Sequence, residues 1–373
     1  MTEELNTAAV SAGTEAYEAA LREANDLILK KQLEEMYREE LRQKIEPYIL
    51  RADHKLPPLK PIVKRHDALI CSEGNISAVV GEAKSKKTFL CTAIVGSMLE
   101  MAGSRQFGIE KRLCRVLWVD TEQSKEHIQK VLFRINLLSR MKLTQSLPHI
   151  MMQTLREESP KDRLQILRYA IEYQKPKLVV VDGVSDLLIS TNNLEESEAL
   201  VAQLLTLSTI YSCHIMCVLH TNPNSDKARG HLGSTLMRKA ETVIYVRKVG
   251  DCSIVEPQYC RNMPFDRFAF KVDEIADQAY LNEATAGLGL PQECELPSEG
   301  GNGEDDCVRI LRDELGGCAE RKLLNSKLTA SLGITSNYAR VKVHRAIERG
   351  LIKADANDVV TLALMDNQNS LIS

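Results

Sequence analysis

The chain has 373 residues, of which 44% are hydrophobic and 27% charged, and its formal net charge at pH 7 is −3. This length suggests roughly two to three domains, with enough apolar side chains for a core. No apolar run approaches the roughly 18 to 20 residues of a membrane span, and the N-terminus lacks the layout of a signal peptide, so we expect a cytosolic protein without a membrane segment. The ten cysteines are scattered along the chain, which argues against a disulfide framework. They form no Cys-x-x-Cys pair, which argues against a zinc ribbon or a redox pair.

The first 60 residues are predicted to form a helical arm. Apolar side chains recur at helical spacing between Tyr17 and Ile49, with charged residues between them. A segment with three prolines follows at residues 54–61, where proline opposes helix and favours extended chain. Two interpretations stay open for the arm: it packs on its own domain or a neighbouring subunit, or it is a solvated amphipathic helix.

Residues 61–290 are predicted to form an α/β core. Short β-branched runs alternate there with helical stretches, and continuous apolar strands separated by helices indicate a parallel sheet covered on both faces. In such a sheet, ligands bind at the carboxyl ends of the strands. The predicted strands are Ile76–Val80, Val116–Val119, Leu178–Val181, Ile215–Leu219 and Val243–Val246.

The first strand leads into a phosphate-binding loop of the Walker A form. Gly81 ends the strand, and Lys87 and Thr88 open the next helix. In this geometry backbone N–H groups and the helix N-terminus surround phosphates, the lysine reaches the β- and γ-phosphates, and the hydroxyl binds Mg²⁺. The residues predicted to bind the nucleotide are Gly81, Glu82, Ala83, Lys84, Ser85, Lys86, Lys87, Thr88 and Phe89.

Lys86 departs from the usual loop, which has a glycine immediately before the lysine. Glycine lets the backbone approach the phosphates without interference from a side chain. We expect Lys86 to fit if its backbone keeps a negative φ, and its charge then adds attraction for phosphate.

Two acidic residues after later strands are predicted to complete the site. Glu122 lies just past the second strand, where it can orient or deprotonate the water that attacks the γ-phosphate. Asp182 ends a later strand in the Walker B form, and its carboxylate is predicted to hold Mg²⁺ together with Thr88. Asp120 is the competing acid for the metal.

The strand Ile215–Leu219 is followed by His220 and a polar, basic loop. His220 is predicted to sense the γ-phosphate and pass its state to that loop, and a structural role as a cap of the strand stays open. Asn222 and Lys227 are candidates for contacting DNA in a channel. Arg229 is a candidate for reaching the phosphates of a neighbouring subunit.

The segment 291–306 is rich in proline, glycine and acidic residues and is predicted to be a linker that lets the following module move independently. Residues 307–373 are predicted to form a winged-helix module, with helices at Arg321–Leu332 and from Thr335 to Arg349, then a two-stranded end. Its basic second helix favours DNA contact, and docking of another protein is the alternative. The residues predicted to face DNA are Asn337, Tyr338, Arg340 and Arg345.

The order of these motifs resembles that of the RecA-like ATPases. Within that group the chain is most similar to the RepA-type hexameric replicative helicases of plasmids and mobile elements, and the similarity runs from Lys60 to Phe270. The motifs that carry it are Lys87-Thr88, Asp120-x-Glu122, the strand ending in Asp182-Gly183, the strand ending in His220, and the segments 229–234 and 261–265.

The resemblance implies a RecA-like P-loop fold and a ring of identical subunits, a hexamer in these helicases, that uses ATP and Mg²⁺ and acts on DNA. It also implies that the sites lie between subunits and that one arginine is supplied in trans. Arg229 is the first candidate for that arginine, and Arg247 and Lys248 are the alternatives.

We therefore interpret the sequence as an ATP-hydrolysing ring ATPase, a replicative helicase of a plasmid or mobile element, in which Lys87, Glu122, His220 and Arg229 are catalytic. Single-stranded DNA is expected to pass through the ring, and the winged helix is expected to contact duplex DNA. Two other interpretations stay open. One is a DNA-binding replication initiator or regulator in which ATP switches assembly without unwinding. The other is a non-hydrolysing nucleotide-binding scaffold, which Lys86 favours and Glu122 opposes.

Overall fold

The fold is taken from a computed structural model that describes residues 2–100, 106–222, 227–274, 288–296 and 305–363. The chain divides into two units, Met1–Pro58 and Leu59–Ser373. None of the described helices combines the length and apolarity that a membrane span requires.

The first unit is built on one long helix, α1 (Thr2–Ile45), followed by a short 3-10 helix at Glu46–Tyr48. The helix starts earlier and ends sooner than the sequence pattern predicts. Its end is explained by Pro47, because the residue before a proline avoids the helical conformation. From Tyr17 onward, the described side chains of α1 are exposed.

The second unit contains a small hairpin and a large mixed sheet. The hairpin pairs β1 (Pro61–Arg65) with β2 (Ala68–Ser72). The strands of the large sheet are β3 (Ile76–Gly81), β4 (Val116–Asp120), β5 (Ile150–Thr154), β6 (Leu178–Asp182), β7 (His214–His220), β8 (Thr242–Val249), β9 (Cys252–Cys260), β10 (Phe268–Glu274) and β11 (Gly289–Cys294).

The nine strands lie in the order β11-β10-β9-β8-β3-β7-β6-β4-β5. From β5 to β8 all neighbours are parallel, whereas β8, β9, β10 and β11 pair in antiparallel fashion. The five predicted strands are all present in the parallel half, which confirms the α/β class.

Helices cover both faces of the parallel half. On one face α2 and α3 pack on the sheet, and on the other face α4, α5 and α6 pack on it, each forming a buried apolar core. The helices are α2 (Lys87–Leu99), α3 (Lys125–Leu138), α4 (Pro160–Gln174), α5 (Leu194–Ile210) and α6 (Gly230–Lys239).

The predicted linker at 291–306 needs a correction. Residues 291–294 belong to β11, where Pro291 pairs with Val272, and residues 297–304 lie outside the described part of the chain. Among the described strands β11 lies at the edge of the sheet, where a proline is tolerated because its missing N–H faces away from the neighbouring strand. The proline, glycine and acidic residues of this segment therefore predicted a linker, whereas its first four residues complete an edge strand.

The C-terminal module has its own apolar core. Three helices surround a three-stranded antiparallel sheet in the order β12-β14-β13. The predicted helices and the two-stranded end occur close to their expected positions. The elements are α7 (Asp306–Asp313), β12 (Cys318–Glu320), α8 (Arg321–Leu332), α9 (Ser336–Glu348), β13 (Ile352–Ala354) and β14 (Val359–Leu362).

The module is not separate from the sheet, contrary to the expectation of independent movement. The backbone N–H of Thr335, which caps α9, lies 3.3 Å from the carboxylate of Glu256 on β9. The Asn337 side chain donates to the backbone carbonyl of Gln258 at 2.5 Å. Both Glu256 and Gln258 are buried. Because these contacts satisfy buried polar groups, they hold α9 against the sheet.

Candidate active site

The loop after β3 starts at Gly81, where any side chain would displace neighbouring atoms. A Cβ atom at Gly81 would lie 2.2 Å from the backbone oxygen of Val246 and 2.8 Å from the Ser85 hydroxyl. The loop therefore packs directly against β8, and α2 begins at Lys87, six residues after Gly81. Ser253 on β9 supports the loop from the same side by donating to the Ser85 carbonyl at 3.1 Å.

Lys86 does not keep the negative φ expected from the sequence. Its φ is +70°, in the left-handed region, and Lys84 also has a positive φ, +64°. A residue with a Cβ in this region costs about 1 kcal/mol relative to glycine. The loop thus keeps the backbone that a glycine would favour, and Lys86 adopts it with strain.

Lys87 is held by the loop itself. Its ammonium donates to the carbonyls of Gly81 and Glu82, both at 2.9 Å, and lies 3.1 Å from Nδ1 of His220. Burial lowers the pKa of Lys87 to about 8, against the opposing effect of the nearby carboxylates of Asp182 and Glu122. The ammonium is therefore the positive centre of the site.

Thr88 and Asp182 meet from α2 and β6. The Thr88 hydroxyl donates to Asp182 Oδ2 at 2.6 Å. Burial raises the pKa of Asp182 to about 7, the Thr88 hydrogen bond opposes this, and the charges of Asp120 and Glu122 add to it. The pair therefore presents a hydroxyl and a carboxylate where additional positive charge is favourable.

Asp120 serves the turn after β4. One of its oxygens accepts the backbone N–H groups of Glu122 and Gln123 at 3.0 and 2.7 Å, and the other accepts the Gln123 side chain at 2.8 Å. Burial raises the pKa of Asp120, and these backbone hydrogen bonds oppose the rise. Because both carboxylate oxygens are engaged, Asp182 is better placed than Asp120 to bind a metal.

Glu122 and His220 face each other beside Lys87. Nε2 of His220 lies 4.0 Å from the Glu122 carboxylate, while its Nδ1 faces Lys87. Burial, followed by the charges of Asp186 and Asp120, raises the pKa of Glu122. Burial, followed by the charges of Lys87 and Arg229, lowers the pKa of His220, which favours the neutral imidazole. His220 thus connects the cation to the half-exposed carboxylate.

These residues line one cleft of about 550 Å³. Its volume is within the range of small-molecule sites. Of the predicted nucleotide-binding residues, the cleft is lined by Lys84, Lys86, Lys87, Thr88 and Phe89.

Sequence reasoning missed Arg134 and His127 as lining residues of this cleft. The guanidinium of Arg134 lies 4.2 Å above the Phe89 ring and donates to the Gly289 carbonyl at 3.0 Å. Burial lowers the pKa of Arg134 to about 10. Its spacing of three residues from buried Val131 on α3 is a signal that could have placed it on the inner face of the helix.

The three candidates for an arginine or lysine supplied to a neighbour lie in different places. Arg229 is exposed at the start of α6, and its backbone N–H donates to the His220 carbonyl at 3.0 Å. Arg247 lies 4.0 Å from Glu256 within its own sheet. Lys248 lines the cleft of its own chain. Arg229 is therefore the candidate best placed to reach outward.

The predicted DNA-binding residues divide into two groups. Asn222, Lys227 and Arg340 are exposed. Asn337 contacts the Gln258 backbone, as described for the fold, and Tyr338 is buried in the module.

Arg345 belongs to the second group: it donates to the Asp266 carboxylate, and to the Pro264 carbonyl at 2.9 Å. Asn337, Tyr338 and Arg345 thus contact the protein's own residues, whereas Arg340 lies at the surface. The sequence shows which residues a helix carries but not which of its sides docks on a neighbouring sheet.

Comparisons with known proteins place this site within a family. A family model described as an AAA domain matches residues 39–226, which include the loop, Asp182 and His220. No curated protein sequence matches the chain. Among solved structures, a crystal structure of the RadB recombinase is similar, with 14% sequence identity and a TM-score of 0.39 over 53% of this chain and 87% of that chain. That similarity is too distant to support an inference about function.

Proposed function

The chain belongs to the AAA domain family, and from this premise we propose that it is a RecA-like P-loop ATPase that binds ATP with Mg²⁺ and hydrolyses it. The observation that supports this most strongly is the meeting of Lys87, Thr88, Asp182, Glu122 and His220 in one cleft. Four separate elements supply these five side chains, and their chemistry is what phosphoryl transfer requires.

Lys87 is the proposed phosphate ligand. Its ammonium is satisfied by the two loop carbonyls and lies beside His220. Exchange of these carbonyl partners for phosphate oxygens places the ammonium against anionic acceptors, which adds the attraction between opposite charges to each hydrogen bond. His220 loses its cationic neighbour in that exchange, which is how we propose that it senses the bound phosphate.

Thr88 and Asp182 are the proposed Mg²⁺ ligands. The raised pKa of Asp182, with Asp120 and Glu122 nearby, means that a cation is favourable there. Thr88 and Asp182 would hold the ion, and phosphate oxygens and water would complete its shell, as is usual for Mg²⁺. An ion held there would offset the negative charge of the phosphates.

Glu122 is the proposed general base. Burial raises its pKa, which makes the carboxylate a stronger proton acceptor than an ordinary glutamate. Its half-exposed position at the mouth of the cleft allows it to orient a water, and its nearness to His220 links that water to the phosphate sensor. A site that only binds nucleotide has no use for such a group, so Glu122 favours hydrolysis over the scaffold interpretation.

The finer proposal is a hexameric ring that couples hydrolysis to movement on DNA, as in the RepA-type helicases of plasmids and mobile elements that the sequence resembles. The exposed position of Arg229, one backbone hydrogen bond from His220, supports a role in the site of a neighbouring subunit. The C-terminal module is proposed to be a winged helix, on the order of its helices and strands.

A second candidate is a DNA-binding regulator in which ATP acts as a switch. One observation favours it: β9 contacts the phosphate loop through Ser253 and the start of α9 through Glu256. A change in the loop on nucleotide binding is therefore close to a change in how the module docks.

The test is a steady-state ATPase assay with and without single-stranded DNA. We expect hydrolysis that DNA stimulates, and we expect Glu122→Gln to lower kcat by about 10² to 10⁴-fold while ATP still binds. Lys87→Ala should abolish both binding and hydrolysis. ATP binding is measured separately with a fluorescent analogue.

Matched controls are Glu126→Gln, an exposed acid on α3, and Lys161→Ala, an exposed lysine on α4. Both should leave hydrolysis unchanged. Absence of hydrolysis in the unmodified protein would overturn the ATPase proposal. Hydrolysis without strand separation of a forked duplex would favour the regulator over the helicase.

A further inference from the structure

A second surface, away from the ATP cleft, combines basic and aromatic side chains. One cleft of about 600 Å³ runs along α6 to the end of β9, and another of about 510 Å³ lies between the end of β9 and α9. Both are lined by Cys260, so they adjoin. We call them together the α6–α9 groove.

Positive charge predominates in this groove. Its lining contains five cationic side chains against two acids, Glu241 and Glu348. Glu241 is buried and accepts hydrogen bonds from Ser72 and Asn262, and Glu348 lies 3.2 Å from His344. The cations are Lys227, Arg238, Arg261, Arg340 and Arg345.

Three of these arginines keep most of their donors available at the surface. Arg261 donates one bond to the Lys239 carbonyl at 3.0 Å, and Arg340 donates one to Asn337 at 3.3 Å, both in exposed positions. A guanidinium has five N–H donors. Arg238 is exposed, donates one bond to the Thr235 hydroxyl at 3.3 Å, and lies 3.8 Å from Glu198, a surface pair of small energy. Arg345, by contrast, is engaged by Asp266.

An exposed aromatic ring lies among the cations. Tyr259 is 46% exposed although it belongs to a strand, and Met263, which follows it in the groove, is 75% exposed. Aromatic faces between basic side chains are what single-stranded nucleic acid requires, since bases stack on the rings and phosphates pair with the cations. A duplex hides its base faces and gains nothing from Tyr259.

We propose that the α6–α9 groove binds single-stranded nucleic acid, with Tyr259 as a stacking platform and Arg238, Arg261 and Arg340 as phosphate contacts. This inference rests on the proposed action on DNA and locates the interface. It also accounts for Arg340 and Lys227, the predicted DNA-binding residues that remain exposed there, while Asn337 and Arg345 dock α9.

The test is fluorescence anisotropy of the full-length protein with labelled oligo-dT, oligo-rU and a duplex of equal length, at several salt concentrations. Arg261→Glu should weaken single-strand binding by about tenfold or more and reduce the salt slope by about 0.7 per lost phosphate contact. Tyr259→Ala should weaken it by about fivefold or more with an unchanged slope, and Tyr259→Phe should restore it. The dT and rU arms distinguish DNA from RNA.

Matched controls lie on α4, where Arg168 is exposed next to Tyr169, 59% exposed. Arg168→Glu and Tyr169→Ala should bind like the unmodified protein, and thermal melting shows whether each variant folds. Basal ATPase should be equal in all variants, so failure of the groove and failure of the ATPase proposal are separate results. Preference for duplex, equal displacement by polyglutamate, or groove variants that bind like the controls would overturn the inference.

Discussion

The two halves of the central sheet treat polar side chains in opposite ways. In the parallel half, β4, β6 and β7 end in Asp120, Asp182 and His220, which meet at the open edge of the sheet beside Lys87. In the antiparallel half, β9 carries buried Glu256, which faces the N–H of Thr335 from the docked module. The parallel half thus brings an ammonium and several carboxylates together in an open cleft. The antiparallel half buries its carboxylate under the start of α9.

The polar groups of the two halves have different surroundings and different uses. Three carboxylates and one ammonium crowd the parallel edge, and the pKa of Asp182 rises to about 7 because burial and its acidic neighbours disfavour its charge. On β9, Glu256 lies near Arg247 and the cap of α9. The first arrangement is ready to accept a cation and phosphates, whereas the second stabilises the docking of a module.

The largest expected effect is a gain in stability when the charge of Asp182 is removed. Its pKa is raised above the ordinary 3.8, so the folded protein favours the protonated carboxyl. The stability that this protonated form contributes is fully present below about pH 4 and is lost as the pH rises through about 7. Asp182→Asn should therefore raise the free energy of unfolding by about 2 to 4 kcal/mol at pH 8 and by little near pH 4. Urea unfolding without nucleotide at the two pH values measures this.

Glu256→Gln is the matched variant in the other half of the sheet. It should lower the free energy of unfolding at pH 8, by about 1 to 3 kcal/mol, because it weakens a charged acceptor of the Thr335 N–H. We expect changes of opposite sign for the two variants, because the two carboxylates have opposite surroundings. A loss of stability in Asp182→Asn at pH 8 would contradict this difference between the halves.

The parallel half could be predicted from the sequence for a physical reason. Strands buried on both faces read as continuous apolar runs, and the carboxyl ends of parallel strands share one edge, so Glu122, Asp182 and His220 were expected together. β5 was missed because its side chains are only partly buried and its sequence, Ile-Met-Met-Gln-Thr, lacks the β-branched run of its neighbours.

The antiparallel half could not be predicted in the same way. β11 begins with residues typical of a loop. It forms a strand because it pairs with β10, not because of its own sequence pattern. The docking of α9 depends on contacts between residues nearly 80 positions apart, such as Asn337 and Gln258, 79 apart. No local pattern carries that information, so Asn337 and Arg345 were assigned to DNA.

A methyl group at Gly81 should have the next largest effect. Gly81→Ala places a Cβ 2.2 Å from the Val246 oxygen, so β8 and the loop must separate, at a cost of about 1 to 3 kcal/mol. ATP affinity should fall by at least tenfold because the loop moves. The control is Gly333→Ala in the C-terminal module. Gly333 has a positive φ of +58°, but a Cβ added there would have no atom within 4 Å. The free energy of unfolding should therefore fall by about 1 kcal/mol while ATP affinity stays unchanged. Equal effects on ATP affinity would contradict the close approach at Gly81.

Removal of Arg345 should have a smaller effect, confined to docking. The Asp266 partner is 76% exposed, so Arg345→Ala should lower the free energy of unfolding by about 1 kcal/mol or less, and by less at high salt. It should also increase proteolytic cleavage within the C-terminal module, because α9 separates from the sheet more often. Arg349→Ala, which removes an ion pair inside the module with Asp305 at 3.3 Å, is the control and should leave that cleavage unchanged. Identical cleavage in both variants would mean that Arg345 does not hold α9 on the sheet.

The smallest expected effect concerns Lys86, where the loop keeps a left-handed backbone without the glycine that suits it. Lys86→Gly removes the strain of a side chain at φ +70°, but glycine also increases the conformational entropy of the unfolded chain. Because the two effects oppose each other, the free energy of unfolding should rise by only about 0.5 kcal/mol. The variant also loses one charge beside the phosphates, and ATP affinity should fall by about two- to fivefold at low salt.

Lys86→Asn separates these two effects, because asparagine tolerates the left-handed backbone and carries no charge. It should match Lys86→Gly in ATP affinity. A normal ATP affinity in both variants would show that the lysine is tolerated at this position without contributing to phosphate binding. A loss in Lys86→Gly alone would mean that the side chain acts through its packing rather than its charge.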